Sequence, residues 1–207
     1  MLRIKICGIT TPEDGIAAAQ AGADAIGIVF YPPSPRNVEL AQAAEILARL
    51  PPLVTRVGLF VNPQKSWVTK VLAQCPLDLL QFHGDEEEAF CNSFGRPYLK
   101  VLRVSGECDL HPFAAAYASA QGLLLDARHD SLYGGSGHSF PWWTLPRDLS
   151  LPVILAGGLT VANVAEAVSR SRPYAVDVSS GVESSPGRKD HGKMEKFIAN
   201  ARQAGER

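Results

Sequence analysis

Short apolar runs alternate along the chain with longer segments in which apolar and polar residues recur at helical spacing. The first run contains Leu2, Ile4 and Ile6 and ends at Cys7. The other apolar runs are 24–30, 54–61, 77–82, 98–104, 122–126, 153–156 and 174–178. Runs of this length that are apolar on both faces are typical of parallel strands covered by helices. The pattern therefore predicts eight parallel strands.

Helical segments separate these runs. Thr11 and Pro12 are a favoured N-cap residue and a favoured first helical residue, so we expect a helix to begin there and to end near Ala21-Gly22. We take the acidic run Glu86-Glu87-Glu88 as the solvated first turn of another helix, where acidic side chains suit the helix dipole. The remaining helical segments are predicted at 39–50, 64–74, 110–119, 160–169 with Thr160 as cap, and 193–204, while 140–145 forms a short helix at best.

Regular alternation of strand and helix places the chain in the α/β class. Eight such units predict a (β/α)8 TIM barrel, and 207 residues lie near the lower end of the usual size. Because no linker interrupts the alternation, residues 1–207 are predicted to form a single domain. An open doubly wound sheet is the alternative, but Cys7-Gly8-Ile9-Thr10 stands where its glycine-rich dinucleotide fingerprint would follow the first strand.

Composition narrows the class of partner. A net charge of -1 without a run of Lys or Arg argues against nucleic acid. No apolar stretch approaches the roughly 20 residues that span a bilayer, and the first residues lack the features of a signal peptide. We therefore expect a cytoplasmic protein without membrane contact. The sequence does not choose between a monomer and a homodimer. The cysteines, which are Cys7, Cys75, Cys91 and Cys108, form no C-x-x-C pair and are expected to be free thiols.

Two residues with acid–base chemistry end predicted strands. Cys7 ends the first strand and Asp126 ends the sixth. In a barrel, both would lie at the catalytic mouth, where a thiolate can act as a base and a protonated carboxyl as an acid. Each residue also has a structural interpretation, as a small apolar barrel residue for Cys7 and as a capping carboxylate for Asp126.

Glycine-rich turns follow the last two strands. Gly157-Gly158 follows the seventh strand and Ser179-Ser180-Gly181 follows the eighth. In barrels of this kind, these two loops bind phosphate through backbone N–H groups, and glycine lets the backbone approach the anion closely. The two turns together predict a small phosphorylated ligand.

Arg36 and His83 are further candidates for ligand binding. Arg36 is the one cation of a proline-rich loop at 31–37, and its planar fork suits a ligand carboxylate. His83 directly follows the fourth strand, where a hydrogen-bonded structural role is equally compatible with the sequence.

Lys5 bears on the reactivity of Cys7. A free thiol titrates near ~8.5, so a thiol base needs a group that lowers its pKa. Side chains two apart on a strand share a face, so Lys5 points into the barrel if Cys7 does. Asp177 on the eighth strand would then be its natural partner, since that strand borders the first when the barrel closes. The alternative is that Lys5 extends to solvent at the barrel floor.

The motifs resemble, in chain order, those of the phosphoribosylanthranilate isomerase family of tryptophan biosynthesis, over nearly the whole chain. They are Lys5-Ile6-Cys7-Gly8-Ile9-Thr10, Ser34-Pro35-Arg36, Gly58-Leu59-Phe60-Val61-Asn62, Gln81-Phe82-His83-Gly84, Leu124-Leu125-Asp126, Ala156-Gly157-Gly158-Leu159, Asp177-Val178-Ser179-Ser180-Gly181-Val182-Glu183 and Pro186-Gly187-Arg188-Lys189-Asp190.

The resemblance implies a (β/α)8 enzyme for the third step of tryptophan synthesis from chorismate. This step is the Amadori rearrangement of N-(5′-phosphoribosyl)anthranilate to 1-(2-carboxyphenylamino)-1-deoxyribulose 5-phosphate. It further implies that Asp126 is the general acid, that Cys7 is the general base and that Arg36 binds the anthranilate carboxylate. Phosphate would be bound by Gly157, Gly158, Ser180 and Gly181, and no metal or organic cofactor is implied.

The chain departs from the family pattern at three places: Ser136 replaces a usual Thr, Pro141 a usual Asp, and Phe82 a usual Leu. Pro141 removes a carboxylate and a backbone donor, which leaves the geometry of its loop open. The competing functions are the related sugar isomerase of histidine synthesis and a non-catalytic phosphosugar-binding barrel. The first would need a second phosphate site, and the second would not need Cys7 and Asp126.

Overall fold

The structure, a computed structural model, describes residues 1–104, 108–127 and 145–206. Eight parallel strands form a closed barrel in which each strand pairs with the next and the eighth pairs with the first. The strands are β1 Arg3–Cys7, β2 Ala25–Val29, β3 Thr55–Phe60, β4 Leu79–Phe82, β5 Tyr98–Val104, β6 Gly122–Ala127, β7 Val153–Ala156 and β8 Ala175–Val178. The predicted barrel is therefore confirmed, and the pairing of β8 with β1 excludes an open sheet.

Helices surround the barrel. Within the described residues, the α-helices are α1 Pro12–Gln20, α2 Leu40–Arg49, α3 Lys65–Gln74, α4 Glu88–Cys91, α5 His111–Ala116, α6 Val164–Ser171 and α7 His191–Gly205. A short hairpin of β9 Glu183–Ser185 and β10 Arg188–Lys189, which the pattern did not predict, follows β8. Across the described ranges, no helix is both long and apolar enough to cross a bilayer.

Strand alternation sorts side chains between two apolar layers. Ile4 and Ile6 of β1 point outward and join the large cluster beneath the helices. Leu99 and Val101 of β5 point inward and pack with residues of β6 and β7 in the barrel interior. Both faces of the strands are thus buried, which explains why the runs are apolar throughout.

One of the two predicted helix caps is the observed N-cap residue, and the other is not. The Asp14 backbone N–H donates to Thr11 Oγ1 (3.2 Å), and Pro12 begins α1, so the predicted cap is confirmed. The prediction for Thr160 is wrong, since Asn163 is the N-cap residue of α6. Asn163 Oδ1 instead accepts a hydrogen bond from the Thr160 backbone N–H (2.7 Å), which closes a turn before the helix.

Glu86 is not a solvated helix residue, and this part of the prediction is wrong. Its side chain is only 3% exposed and pairs with Lys100 Nζ at 2.9 Å. The carboxylate also accepts from the backbone N–H groups of Asn62 (2.7 Å) and Gly84 (2.9 Å). Glu86 thus joins the loops after β3 and β4 instead of facing solvent, because buried N–H groups require an acceptor and a buried cation requires an anionic partner.

Candidate active site

Parallel pairing brings the candidate residues to one end of the barrel. Cys7 ends β1, His83 follows β4, and Asp126 lies one residue before the end of β6. Gly157-Gly158 follows β7, and Ser180 begins a 3-10 turn after β8. Because the carboxyl ends of all eight strands share one rim, these side chains surround a single mouth.

Lys5 points into the barrel and pairs with Asp177, as predicted. The register places Lys5 of β1 opposite Asp177 of β8, and the distance from Nζ to Oδ1 is 2.8 Å. The two side chains are 5% and 9% exposed, so the alternative that Lys5 extends to solvent is wrong. Gly27 of β2 makes room beside them, since a Cβ there would lie 2.8 Å from Cys7 Sγ and 3.1 Å from Lys5 Nζ.

The surroundings of Cys7 act on its pKa in opposite directions. Burial raises the pKa of the Cys7 thiol, the charge and hydrogen bond of Lys5 lower it, and the charge of Asp177 raises it. The influence of Lys5 has the predicted sign, but burial prevails and the pKa is raised overall. The pKa of Lys5 is also raised, because Asp177 and Cys7 outweigh the effect of its burial. The raised pKa values favour a neutral Cys7 thiol beside a Lys5 ammonium ion.

Lys5→Met is expected to raise the Cys7 pKa further. If Cys7 is the general base, as the resemblance implies, it must be deprotonated to act, so the acidic limb of the kcat/KM profile should move to higher pH. In wild type, the raised pKa predicts that kcat/KM still increases with pH through neutrality. The pH profile measures both effects, and alkylation rates of Cys7 in a background lacking Cys75, Cys91 and Cys108 give the titration directly.

The control for this variant is Lys5→Met/Asp177→Asn. The single variant leaves an unpaired Asp177 carboxylate beside the thiol, and that charge itself raises the thiol pKa. If the double variant still titrates above wild type, the lost ammonium is responsible. An unchanged titration in folded Lys5→Met would leave the lysine a purely structural role.

His83 and Asp126 form a pair at the mouth. His83 Nε2 lies 3.1 Å from Asp126 Oδ2, and the side chains are 20% and 14% exposed. The backbone of His83 is held on both sides, since its N–H donates to the Phe60 carbonyl (2.8 Å) and its carbonyl accepts from Arg103 Nη2 (3.0 Å). The arrangement orients Asp126 towards the mouth and retains solvent access, as an acid that protonates a ligand requires.

Arg36 is anchored by Glu183 of the β9–β10 hairpin. Arg36 Nε and Nη2 donate to the two Glu183 oxygens at 2.7 and 2.6 Å. The arginine also packs on the segment after Cys7: a Cβ at Gly8, which has φ +74°, would lie 2.6 Å from Arg36 Cδ. Arg36, which the sequence predicts to bind a ligand carboxylate, therefore lies beside the segment that follows Cys7.

Glu183 and Lys189 belong to this site, although sequence reasoning gave them no role. Lys189 Nζ contacts Glu183 Oε1 at 2.9 Å and the Ser179 carbonyl at 3.1 Å. Burial acts to raise the pKa of Glu183, but hydrogen bonds from Arg36 and Lys189 outweigh it, so its carboxylate form is favoured. Burial lowers the pKa of Lys189 against the attraction of Glu183.

Gln81 is a further polar group inside the barrel. It lies two residues before His83 on β4 and is 1% exposed. Its Oε1 has no hydrogen-bond partner among the described residues. The sequence signal for it was the motif Gln81-Phe82-His83-Gly84, in which a glutamine interrupts an apolar strand.

The glycines after β7 and β8 form two touching loops. Gly157 and Gly158 have φ of +78° and +64°, and a Cβ at Gly158 would meet no atom within 4 Å. A Cβ at Gly181, in contrast, would lie 1.9 Å from the Leu159 carbonyl oxygen. The second loop can therefore approach the first only with glycine at position 181, and open space remains above Gly158.

The segments 134–137 and 140–142, which carry Ser136 and Pro141, lie outside the described residues. The expectations for these two positions therefore stay predictions.

Phe82 is fully buried and packs against Phe60, Phe90, Phe94 and Tyr98, so the change from leucine is absorbed in an aromatic cluster outside the barrel wall.

Comparisons with known proteins agree with this architecture. The model of the N-(5′-phosphoribosyl)anthranilate (PRA) isomerase family matches residues 4–200. The N-(5′-phosphoribosyl)anthranilate isomerase of Acidithiobacillus ferrooxidans is 63% identical over 202 residues, which are 98% of each chain. The crystal structure of phosphoribosyl anthranilate isomerase from Thermotoga maritima superimposes with a TM-score of 0.89 at 42% identity, covering 98% of this chain and all of that one. A second isomerase structure, in complex with reduced 1-(o-carboxyphenylamino)-1-deoxyribulose 5-phosphate, has a TM-score of 0.87 at 39% identity, covering 98% of this chain and all of that one.

Proposed function

The chain belongs to the N-(5′-phosphoribosyl)anthranilate isomerase family, and we propose that Cys7 and Asp126 are the base and the acid of its reaction. The reaction is the Amadori rearrangement of N-(5′-phosphoribosyl)anthranilate to 1-(2-carboxyphenylamino)-1-deoxyribulose 5-phosphate in tryptophan biosynthesis. The observation that carries the proposal is the position of both residues on one mouth, with an ammonium ion beside the thiol and an imidazole beside the carboxyl.

The acid acts first. The Asp126 carboxyl gives its proton to the furanose ring oxygen, the bond from this oxygen to C1′ breaks, and the nitrogen lone pair forms the C1′=N bond. The Cys7 thiolate then removes the C2′ proton, and the electron pair of that C–H bond moves to give an enolamine, which tautomerises to the ketose. Each turnover leaves a proton on Cys7 and none on Asp126, so both groups exchange protons with solvent before the next one.

The loops around the mouth are assigned to the two ends of the substrate. Arg36 binds the anthranilate carboxylate, because its fork suits two oxygens and lies beside Cys7. Gly157, Gly158, Ser180 and Gly181 bind the 5′-phosphate at the opposite end. His83 contacts the substrate beside Asp126. The chemistry runs on these side chains alone in our proposal, without metal or organic cofactor.

A turnover assay tests the function. Purified protein should abolish the fluorescence of phosphoribosylanthranilate, and the product should be the ketose isomer identified by mass and chromatography. A barrel that only binds phosphosugars would bind the substrate but would not speed the loss of its fluorescence over time. We further propose a cytoplasmic enzyme; its oligomeric state, monomer or homodimer, stays a prediction that sedimentation velocity measures.

Gly158→Ala is expected to weaken phosphate binding about tenfold, the scale of one charge-assisted hydrogen bond. The added methyl group would enter the open space above the turn, where the phosphate is assigned. The matched control is Gly95→Ala, because Gly95 also has positive φ (+59°) and no atom within 4 Å of a built Cβ. Gly95 precedes β5 and so lies at the end of the barrel opposite to the mouth. Both variants should lose about 1–2 kcal/mol of stability from the left-handed conformation.

Affinity for the reduced product analogue, measured by calorimetry, separates the two variants. Only Gly158→Ala should bind the analogue more weakly than wild type. Equal affinities in both variants would remove Gly158 from the phosphate site.

A further inference from the structure

A buried lysine stands behind the arginine that is assigned to the substrate carboxylate. The Lys189 side chain is 0% exposed, and that of Glu183 is 5% exposed. Glu183 lies between two cations, with Arg36 on one side and Lys189 on the other. Lys193 Nζ supports the hairpin from outside by donating to the Glu183 backbone carbonyl at 2.8 Å.

The charge of this cluster decides what it can attract. An arginine in a bidentate pair with a carboxylate forms a neutral unit, which is a poor receptor for a second carboxylate. Lys193 contacts the Glu183 backbone carbonyl and not its carboxylate, so Lys189 and Arg36 are the two cations paired with this anion. The three side chains in direct contact therefore carry one net positive charge. Lys189 and Glu183 are almost fully buried and Arg36 is 22% exposed, so the uncompensated charge is available at the arginine.

The geometry of Arg36 fits the same conclusion. Glu183 takes the Nε and Nη2 edge of the guanidinium, which has five N–H donors in total. Among the described residues, no other acceptor contacts the guanidinium. The edge that faces Glu183 fixes the plane of the fork, and the remaining donors stay open to a ligand.

We propose that Lys189 is a positioning residue for substrate specificity, which compensates Glu183 and leaves the charge of Arg36 to the anthranilate carboxylate. The proposal rests on the assignment of Arg36 to that carboxylate. It also explains why a buried cation lies at the base of the hairpin, where an apolar side chain would avoid the cost of desolvation.

The test compares two ligands in four proteins. The ligands are the reduced product analogue and the same compound without its carboxyl group, and their affinities are measured by calorimetry. The proteins are wild type, Arg36→Met, Lys189→Met and Glu183→Gln/Lys189→Met. The ratio of the two affinities isolates the carboxylate from the phosphate and from any general loss of structure.

Wild type should prefer the carboxylated ligand, and Arg36→Met should lose that preference. Lys189→Met should lower the preference about tenfold, whereas the double variant, which restores one net positive charge, should regain most of it. Equal weakening of both ligands by Lys189→Met, or no recovery in the double variant, would overturn the proposal. Such results would indicate that Lys189 acts on the phosphate loop through Ser179.

Two further outcomes are distinguishable. If Lys189→Met does not fold, Glu183→Gln and Glu183→Gln/Lys189→Met differ only by the lysine. The first should then show about tenfold stronger preference for the carboxylate, and equal preferences would overturn the proposal. If wild type itself shows no preference, the assignment of Arg36 is wrong while the isomerase assay remains positive.

Discussion

Replacing Cys7 by alanine or Asp126 by asparagine is expected to lower kcat by about 10²-fold or more, the usual effect of losing a general base or a general acid. In the proposed mechanism, Cys7→Ala removes the group that takes the C2′ proton, and Asp126→Asn removes the proton that opens the furanose ring. Affinity for the reduced product analogue should change little, because neither residue is assigned to the carboxylate or to the phosphate. Single-turnover measurements are needed, since slow product release can conceal the chemical step.

Cys75→Ala is the matched control for this prediction. Cys75 is also a buried free thiol, but it lies at the end of α3, outside the barrel wall. Its removal leaves a small cavity and should lower stability without lowering kcat. A kcat near that of wild type in folded Cys7→Ala would end the assignment of the base, and the same result in Asp126→Asn would end the assignment of the acid.

The raised pKa of Cys7 shapes how the site works. Burial raises the pKa of the thiol, and Lys5 recovers part of the thiolate that burial disfavours. The Lys5–Asp177 pair is buried, and the Asp177 carboxylate and Cys7 outweigh the effect of that burial, so the ammonium stays charged beside the sulfur. The pKa of Cys7 therefore depends on a charge pair inside the barrel, and the pH profile of kcat/KM should respond to changes at either partner.

Sequence patterns predicted the barrel because each strand is marked by a short run of apolar residues that are neighbours in the chain. The bounds of β5 and β7 agree with the predicted runs to the residue, since a run of apolar side chains ends where the chain leaves the sheet. The Lys5–Asp177 contact spans 172 positions, yet it was also predictable. Closure of the barrel places β8 beside β1, and alternation then fixes which side chains meet.

Contacts between loops cannot be predicted from strand alternation or barrel closure. Glu183 reaches Arg36 across 147 positions from a hairpin that the apolar pattern does not mark. Its role depends on how a loop after β8 folds back over the loop after β2, which no periodicity encodes. The start of α6 was misplaced for a similar reason: Thr160 is a good cap by type, but Asn163 closes the turn first.

The burial of Glu86 could have been predicted from Lys100, although its place in an acidic run suggested a solvated helix start. Lys100 is a cation on the outward, helix-covered face of β5, between Tyr98 and Leu102. A lysine at such a position needs an anionic partner, because an unpaired charge inside the protein is costly. The carboxylate had to come from a neighbouring loop, and the run at 86–88 is the nearest acidic segment after β4.

Glu86→Gln is expected to lower the free energy of unfolding by about 3–5 kcal/mol, the scale for removing one partner of a buried ion pair. Lys100 Nζ would keep its contact with the Gly84 carbonyl (2.8 Å). Its ammonium charge would have no anionic partner, although the lysine side chain is only 3% exposed. The amide also has one acceptor oxygen where the carboxylate has two, and it must serve the N–H groups of Asn62 and Gly84. Urea denaturation of wild type and variant measures the difference.

The exposed pair of Glu166 and Arg170 on α6 is the matched control. Its atoms lie 2.9 Å apart, the same distance as in the buried pair, but its side chains are 51–58% exposed. Glu166→Gln should therefore change stability by less than about 0.5 kcal/mol, since solvent screens surface pairs. Glu86→Gln/Lys100→Met should recover part of the loss, because it removes the uncompensated cation. A Glu86→Gln variant as stable as the Glu166→Gln control would show that the loops after β3 and β4 are held by their apolar contacts and not by this carboxylate.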